Sequence, residues 1–375
     1  MMSKIPGKRK LCIVVGTRPN FIKVTQFRRV VDQSHPDISL KIVHTGQHYD
    51  QSMARVFFDQ FGLRPDVMLD VEPGHPAIQI GSAIDRLARY FQEDRPDLVI
   101  AVGDVNSTLA AALAANKCGI ALAHLESGLR SGDRSMPEEH NRRVADLLSD
   151  LHFITEDSGL KNLRDEGHPE SGLRMVGNTM IDTLVAFKDK IQASDVLDRL
   201  QLSESGYMLA TIHRPSNVDE GAGLSFCLEL FEALTARYTC VFPAHPRTLS
   251  RMKDFALHER FEAIEKLHLI QPQSYFDFQK LVAESAFVLT DSGGIQEECT
   301  FLQKPCLTLR PNTERPVTIT IGSNTLLEFD VADICRKAEQ IADGSYKRGE
   351  IPPLWDGKAT ERVMQHVEQF FERAY

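Results

Sequence analysis

Short apolar runs alternate along the chain with helix-length amphipathic segments. Residues 11–15, 40–44, 98–102, 120–124 and 151–155 read as strands buried on both faces. Between them, residues 21–31, 77–91, 106–117 and 138–148 carry helical spacing. The second half repeats the arrangement, with strands expected at 208–212, 240–243, 267–270, 286–290 and 305–309. Buried strands alternating with helices predict parallel sheets covered on both faces.

The halves also echo each other in detail. Residues 98–104 end in Gly103-Asp104 and run into Asn106-Ser107-Thr108 and a helix. Residues 287–291 run into Ser292-Gly293-Gly294 and another helix. The expectation is an α/β chain of two doubly wound, Rossmann-like domains facing a central cleft, each offering strand ends and helix starts to it. A length of 375 residues agrees with two domains of ~150 each. Gly177-Asn178-Thr179 closes one unit, and a charged stretch over 187–206 precedes the next strand. Domains are therefore expected at 1–180 and 181–358, with a helix over 359–375 packing back on the first.

Composition removes several classes of function. Lysine and arginine number 43 against 52 aspartates and glutamates, a net charge of −9. That balance argues against sequence-independent nucleic-acid binding and against an anionic membrane surface. With 42% hydrophobic and 25% charged residues, the chain reads as ordinary globular protein. Seven cysteines, widely spaced and without a CxxC pair, argue against a disulfide framework or a zinc site and suit the cytoplasm. The basic start is followed only by the apolar run 11–15, too short for a signal-peptide core or a membrane span.

Chemistry concentrates where strands end. Gly16-Thr17-Arg18-Pro19-Asn20-Phe21-Ile22-Lys23 follows the first strand; a glycine turn into a helix start favours an anion, and Arg18 and Lys23 add charge. One glycine is too few for a dinucleotide fingerprint, and no GKS or GKT follows. The bland alternative is a Pro19-initiated helix with two solvated cations. In Asp291-Ser292-Gly293-Gly294-Ile295-Gln296-Glu297-Glu298, the glycines permit close approach of a diphosphate and Ser292 can donate to it. Glu298, one turn further in, suits ribose hydroxyls. The alternative is that Glu297 and Glu298 complement the helix dipole, at roughly 0.3–1 kcal/mol each.

Asp104 and Glu126 lie at strand ends before glycine-rich loops, while Glu138 and Arg142 stand four apart on one helix face. Several carboxylates in unlike surroundings can divide acid and base duties. Ser135-x-x-Glu138 also fits a capping box, the rival explanation for Glu138. His213 and His245 follow strands of the second half; with no second histidine at i+4 and no paired cysteines, phosphate contact suits them better than metal. Gln47-His48 either line the cleft or cap a loop.

Taken in order, Gly16–Lys23, Thr45-Gly46-Gln47-His48, Gly103-Asp104, His124–Gly132, Pro137–Arg142, Gly177-Asn178-Thr179, His213-Arg214, Asp291–Glu298 and Thr313-Glu314-Arg315-Pro316 resemble the non-hydrolysing UDP-N-acetylglucosamine 2-epimerases. The resemblance runs from Leu11 to about Leu327 with spacing intact. It implies a glycosyltransferase-B-like architecture, a homodimer, and interconversion of UDP-GlcNAc and UDP-ManNAc without a nicotinamide cofactor or an essential metal. It further implies that Asp104, Glu126 and Glu138 are the catalytic carboxylates, supported by Arg142 and His213. Arg18, Lys23, His213, Phe278, Ser292, Gly293, Gly294, Glu298 and Arg315 match UDP-binding positions. Gln47, His48, Arg214 and His245 fall where relatives bind a second, activating UDP-GlcNAc.

Three positions depart from the family pattern. Asn20 replaces a glutamate, Asp50 stands where regulated relatives have a glutamine, and Pro215-Ser216 interrupts His-Arg-x-Glu-Asn and removes its glutamate. The last two bear on the activator site. Other readings are a 2-epimerase of a UDP-2,3-diacetamido uronic acid, a hydrolysing 2-epimerase, a glycosyltransferase of the same architecture, and a non-catalytic nucleotide-sugar sensor.

Overall fold

In the computed structural model, which describes residues 7–46, 58–72 and 74–373, the chain forms two units. One comprises the residues up to Ala186 and those from Pro353 onward; the other is Phe187–Pro352.

The first unit is built on a seven-stranded parallel sheet. Its strands are β1 (Arg9–Val15), β2 (Ile38–His44), β3 (Val67–Met68), β4 (Leu98–Val102), β5 (Ala121–Ser127), β6 (Leu151–Ile154) and β7 (Leu173–Met175). They run in the order β3-β2-β1-β4-β5-β6-β7. Apolar residues stack in register across the middle: Ile13 faces Ile42 on β2 and Ile100 on β4. The helix Asn106–Lys117 covers this sheet with Ala110, Ala111, Ala112, Ala114 and Ala115, all buried. Such small side chains let it lie close between its neighbours, the helices Pro76–Glu93 and Pro137–Leu148.

The second unit holds six parallel strands: β8 (Tyr207–Thr211), β9 (Thr239–Pro243), β10 (Leu267–Ile270), β11 (Phe287–Thr290), β12 (Cys306–Leu309) and β13 (Asn324–Leu327). Their order is β10-β9-β8-β11-β12-β13. Phe231, Phe242 and Phe261 pack as a ring cluster on one face, with Phe231 5.2 Å from Phe242 and 6.1 Å from Phe261 between centroids. In each sheet the strand order reverses beside the first strand, β1 or β8. Ligands of doubly wound sheets sit beyond the carboxyl ends at such a reversal.

Three expectations need correction. The helix over 21–31 is two helices, Arg18–Ile22 and Phe27–Ser34. Buried Lys23 and Thr25 in the break make long-range contacts, with Glu126 and with Thr183 respectively, and those contacts override the periodicity. Strands β3, β7 and β13 were not foreseen. All three are sheet edges, short and incompletely buried, so they lack a continuous apolar run. The chain changes unit after Ala186 and returns at Pro353, rather than after residues 180 and 358. Asp182 holds the end of the first stretch in this unit: its carboxylate accepts from the N–H groups of Ala359 at 3.0 Å and Thr360 at 2.6 Å, capping the helix Ala359–Arg373. Trp355 adds a bond from Nε1 to the Thr155 carbonyl at 3.1 Å. Among the described residues no helix is long and apolar enough to cross a membrane.

Candidate functional site

At the reversal point of the first sheet, two carboxylates stand against two buried cations. Glu126, at the end of β5, is paired with Lys23 Nζ, and both are almost wholly buried. Asp104, just beyond β4, is paired with Arg142 Nη2, whose side chain is fully buried. Among the described residues, Arg142 Nε and Nη1 are buried without a hydrogen-bond partner. Arg18 is exposed at the start of its helix. The two pairs are close neighbours: a Cβ placed on Gly103 would lie 3.3 Å from Glu126 Oε2 and 3.4 Å from Lys23 Nζ. Gly103 needs its freedom for a second reason, a φ of +67°. Glu126 itself has φ +75°, a conformation that costs a non-glycine residue on the order of 1–3 kcal/mol and concentrates at functional sites.

Asn20, where the family pattern has a glutamate, is buried and uses both ends of its amide. It donates to the Val102 carbonyl at 3.1 Å and accepts from Thr17 Oγ1 at 3.1 Å. It thereby ties the loop after β1 to the end of β4.

Glu138 is not a capping residue. Met136 is the N-cap of the helix Pro137–Leu148 and makes no side-chain cap bond, while Ser135 turns to Asp133, with its N–H at 2.9 Å and Oγ at 2.6 Å. The structural glutamate is the next residue. Buried Glu139 accepts from Ser131 N at 2.8 Å, Ser131 Oγ at 3.0 Å and Arg143 Nε at 2.9 Å. Glu138 is left half-buried on the face that carries Arg142.

Behind these groups lies a buried network that the sequence did not signal. Asp146 binds His124, Ser127, Gly128 and Arg130. Burial alone would raise its pKa, but the charges and hydrogen bonds of His124, His152 and Arg130 outweigh it and hold the carboxyl well below the usual range.

The second unit presents its groups at the reversal point beside β8. His213 and Arg214 follow β8, and their N–H groups donate to Asp291 Oδ2 at 2.9 and 2.8 Å. Asn217 Nδ2 completes the set at 3.0 Å. Asp291 is fully buried; His213 and the two N–H bonds pull its pKa down against the effect of burial. His213 and His245 come together, ring centroids 5.7 Å apart. His245 also caps its helix, accepting from Arg247 N at 3.1 Å.

Ser292-Gly293-Gly294 opens the helix Gly293–Phe301, and the segment is half-buried. A Cβ on Gly293 would meet Arg315 Nη1 at 2.8 Å, so the guanidinium lies directly against the helix start. Helix dipole, N–H groups and guanidinium together favour an anion there. Arg315 is fixed by Glu297, with Nε 2.8 Å from Oε2, so Glu297 orients a cation rather than complementing the dipole. Arg310 forks onto Glu314 with two 3.1 Å bonds, and the two arginines hold Glu314 far below the usual carboxylate range despite its burial. Glu298 differs from both. Burial pushes it up to about 7, with Glu297 adding to the rise and a bond from Gln279 opposing it. Phe278 stands beside Gln279 on the helix Tyr275–Glu284.

Thus Lys23, Asp104, Glu126 and Arg142 are brought together in one unit, and His213, His245, Arg214, Ser292, Gly293 and Arg315 lie at or beside strand and helix ends in the other, with Glu298 buried within the helix Gly293–Phe301. Gln47 and His48, with Asp50, lie outside the described residues. Sequence reasoning missed Asp146, Asp291, Arg310 and Gln279 as contributors. Asp291 had a signal, its place directly after a strand and before the glycine pair. Among the described residues no group of three histidine, cysteine or acidic side chains is arranged to hold a metal ion.

The family model for UDP-N-acetylglucosamine 2-epimerase matches residues 32–368. The UDP-N-acetylglucosamine 2-epimerase of Methanocaldococcus jannaschii is 36% identical over 362 residues, covering 95% of this chain and 98% of the relative. The UDP-2,3-diacetamido-2,3-dideoxy-D-glucuronate 2-epimerase of Pseudomonas aeruginosa is 35% identical over 362 residues, covering 96% and 99%. The crystal structure of the M. jannaschii UDP-GlcNAc 2-epimerase with UDP-GlcNAc and UDP superposes with a TM-score of 0.88 at 34% identity, covering 96% of this chain and 99% of that one. Matched by that model over most of its length and by relatives of more than 30% identity, this chain belongs to the UDP-N-acetylglucosamine 2-epimerase family, a family of isomerases.

Proposed function

We propose that the protein interconverts UDP-GlcNAc and UDP-ManNAc by eliminating UDP and adding it back, supplying ManNAc units for surface polysaccharide. The observation that carries this reading is the pair of buried ion pairs, Glu126 with Lys23 and Asp104 with Arg142, meeting at the Gly103 turn. The C2 proton of a pyranoside has no neighbouring carbonyl, so simple removal and return is unfavourable. If the C2–H electron pair instead forms a C1–C2 double bond as the C1–O bond breaks, UDP departs with its electrons and 2-acetamidoglucal remains. Protonation of C2 on the other face and attack of a UDP oxygen on C1 complete the inversion without net oxidation.

In this scheme Glu126 removes the C2 proton, and Asp104 and Glu138 are the remaining catalytic carboxylates. Arg142, wholly buried, acts by holding Asp104 through Nη2. UDP is held by Arg18, Lys23, His213, Phe278, Ser292, Gly293, Gly294, Glu298 and Arg315, with the diphosphate at the helix start and Glu298 on the ribose. Arg214 and His245, with Gln47 and His48, are the proposed activator contacts. No cofactor is required by this chemistry.

The experiment is incubation with UDP-GlcNAc and no acceptor, followed by NMR of the anomeric signals. UDP-ManNAc is expected. Free ManNAc with UDP would indicate hydrolysis, and an unchanged spectrum would remove this substrate. A second reading, action on a UDP-2,3-diacetamido uronic acid, is favoured by the Pseudomonas relative, which matches over as much of the chain as the GlcNAc enzyme does. Parallel incubation with that nucleotide sugar separates the two. We further propose a homodimer: Ile78 and Leu147, on helices flanking Asn106–Lys117, are 72% and 74% exposed. Sedimentation should show a dimer that Ile78→Arg with Leu147→Glu dissociates; a native monomer would end this part of the reading.

A further inference from the structure

The network around Asp146 takes no direct part in the chemistry proposed above, yet it touches the turns that carry that chemistry. Asp146 Oδ1 accepts from Ser127 Oγ and lies 2.5 Å from His124 Nδ1. Oδ2 accepts from Gly128 N at 3.1 Å and lies 2.7 Å from Arg130 Nη1. Ser127 Oγ also meets His152 Nδ1 at 2.9 Å. Ser127 and Gly128 are the two residues after Glu126, so the end of β5 is clamped from below.

His124 carries the clamp across to the neighbouring strand. Its Nε2 is 2.7 Å from the Gly103 carbonyl, one residue before Asp104. The ring therefore bridges Asp146 and the Gly103 carbonyl as a strut between the helix and the neighbouring strand. Asp146 also stands four residues beyond Arg142 and eight beyond Glu138. Steps of four on an α-helix turn only ~40°, so all three share one face. The same face grips Asp104 through Arg142 and Gly103 through Asp146 and His124.

We propose that Asp146 is a positioning residue, fixing the Gly103-Asp104 turn and the Glu126-Ser127-Gly128 turn relative to the helix that presents Glu138 and Arg142. It touches no substrate in this role. A displacement of about 1 Å at reacting groups costs turnover on the order of 100-fold, which sets the expected effect. An amide at 146 keeps one accepting oxygen but loses the charge and the second acceptor, so the partners on Oδ1 and those on Oδ2 can no longer all be satisfied and the turns lose their common anchor. The activity readout of this inference rests on the epimerase reading; its spectroscopic readout does not.

The test uses Asp146→Asn and His124→Gln in the full chain. Expected are kcat values lower by about 100-fold, UDP dissociation constants within threefold of the native value, and melting temperatures within a few degrees. Nitrogen-15 NMR of the histidines should show the His124 ring signals displaced in Asp146→Asn relative to the native protein, because one of the ring's two partners has changed. Ser127→Ala, which removes one donor and leaves the His124 strut, should lose less than tenfold in kcat. Native kcat in both folded variants overturns the proposal, as does a parallel fall of kcat, UDP affinity and melting temperature, which marks a merely structural residue. His124 ring signals unchanged in Asp146→Asn overturn it too. If the native protein turns over neither UDP-GlcNAc nor the uronic acid nucleotide, the epimerase reading has failed and the His124 signals alone decide. Should Asp146→Asn fail to fold, His124→Gln and Ser127→Ala provide the same comparison.

Discussion

Binding of UDP should be coupled to loss of a proton from Glu298. This carboxyl is buried in the helix Gly293–Phe301, and burial, with Glu297 nearby, pushes it up to about 7. Ribose hydroxyls donate to a carboxylate, so the ligand selects the charged form. With a pKa near 7, about one-tenth of the sites are charged at pH 6 and about nine-tenths at pH 8. Apparent affinity scales with the competent fraction, so it should rise about tenfold over that range, or ~1.4 kcal/mol. In Glu298→Gln that proton is absent. This variant should bind UDP about ten- to a hundredfold more weakly at pH 8, the worth of a hydrogen bond to a charged group, and by a smaller factor at pH 6. Titration calorimetry at both pH values, in buffers of different ionisation enthalpy, counts the protons released. Because the terminal phosphate of UDP also titrates near pH 6, the decisive quantity is the difference between native and variant slopes. Equal slopes in the two proteins would refute the coupling and the assignment of Glu298 to the ribose. The linkage also has a sign in the unliganded chain. A folded pKa raised from 4.5 to about 7 gives a contribution fully present below about pH 4.5 and lost as pH rises through 7. The unfolding free energy of native protein from denaturant titration should fall across that window relative to Glu298→Gln, by up to about 3 kcal/mol.

Three further outcomes are expected. Glu126→Gln and Asp104→Asn should slow turnover by about 10²–10⁴-fold while UDP affinity, measured by calorimetry, stays within threefold; an equal fall in both would make them binding groups. Turnover in heavy water should place deuterium at C2 of the product, with traces of 2-acetamidoglucal and UDP; protium at C2 throughout would reopen the elimination scheme. Reaction of UDP-ManNAc alone should start without a lag, since Ser216 and Asp50 depart from the family pattern at the proposed activator positions; a lag abolished by traces of UDP-GlcNAc would show that the remaining contacts suffice.

Much of the candidate site could be read from the chain because its groups sit at strand ends. Glu126 and His213 directly follow an apolar run, and Asp104 and Ser292 come one residue later, so the rule for doubly wound sheets pointed to them from the sequence. What could not be read was which charged group answers which. Nothing local distinguishes Glu138 from Glu139, or Glu297 from Glu298. One of each pair is consumed by a structural partner, Arg143 with Ser131 in the first case and Arg315 in the second. Those partners, apart from Arg143, come from other elements, and a capping-box spacing at Ser135 misled for the same reason.

The alternation of buried runs and amphipathic segments determined by itself that the chain makes two parallel α/β sheets, because a strand buried on both faces has no other stable setting than between helices. Tertiary structure alone decided the rest. It broke the first helix at Lys23, since that ammonium is satisfied only by Glu126 on a distant strand. It assigned Asp182 to a cap on the helix Ala359–Arg373, carrying the chain's end back to the first unit. It raised Glu298 while lowering Glu314, although both are buried glutamates, because only Glu314 lies between two guanidinium groups. Periodicity records which face of an element is dry; the charge that a dry position can tolerate depends on what other parts of the chain bring to it.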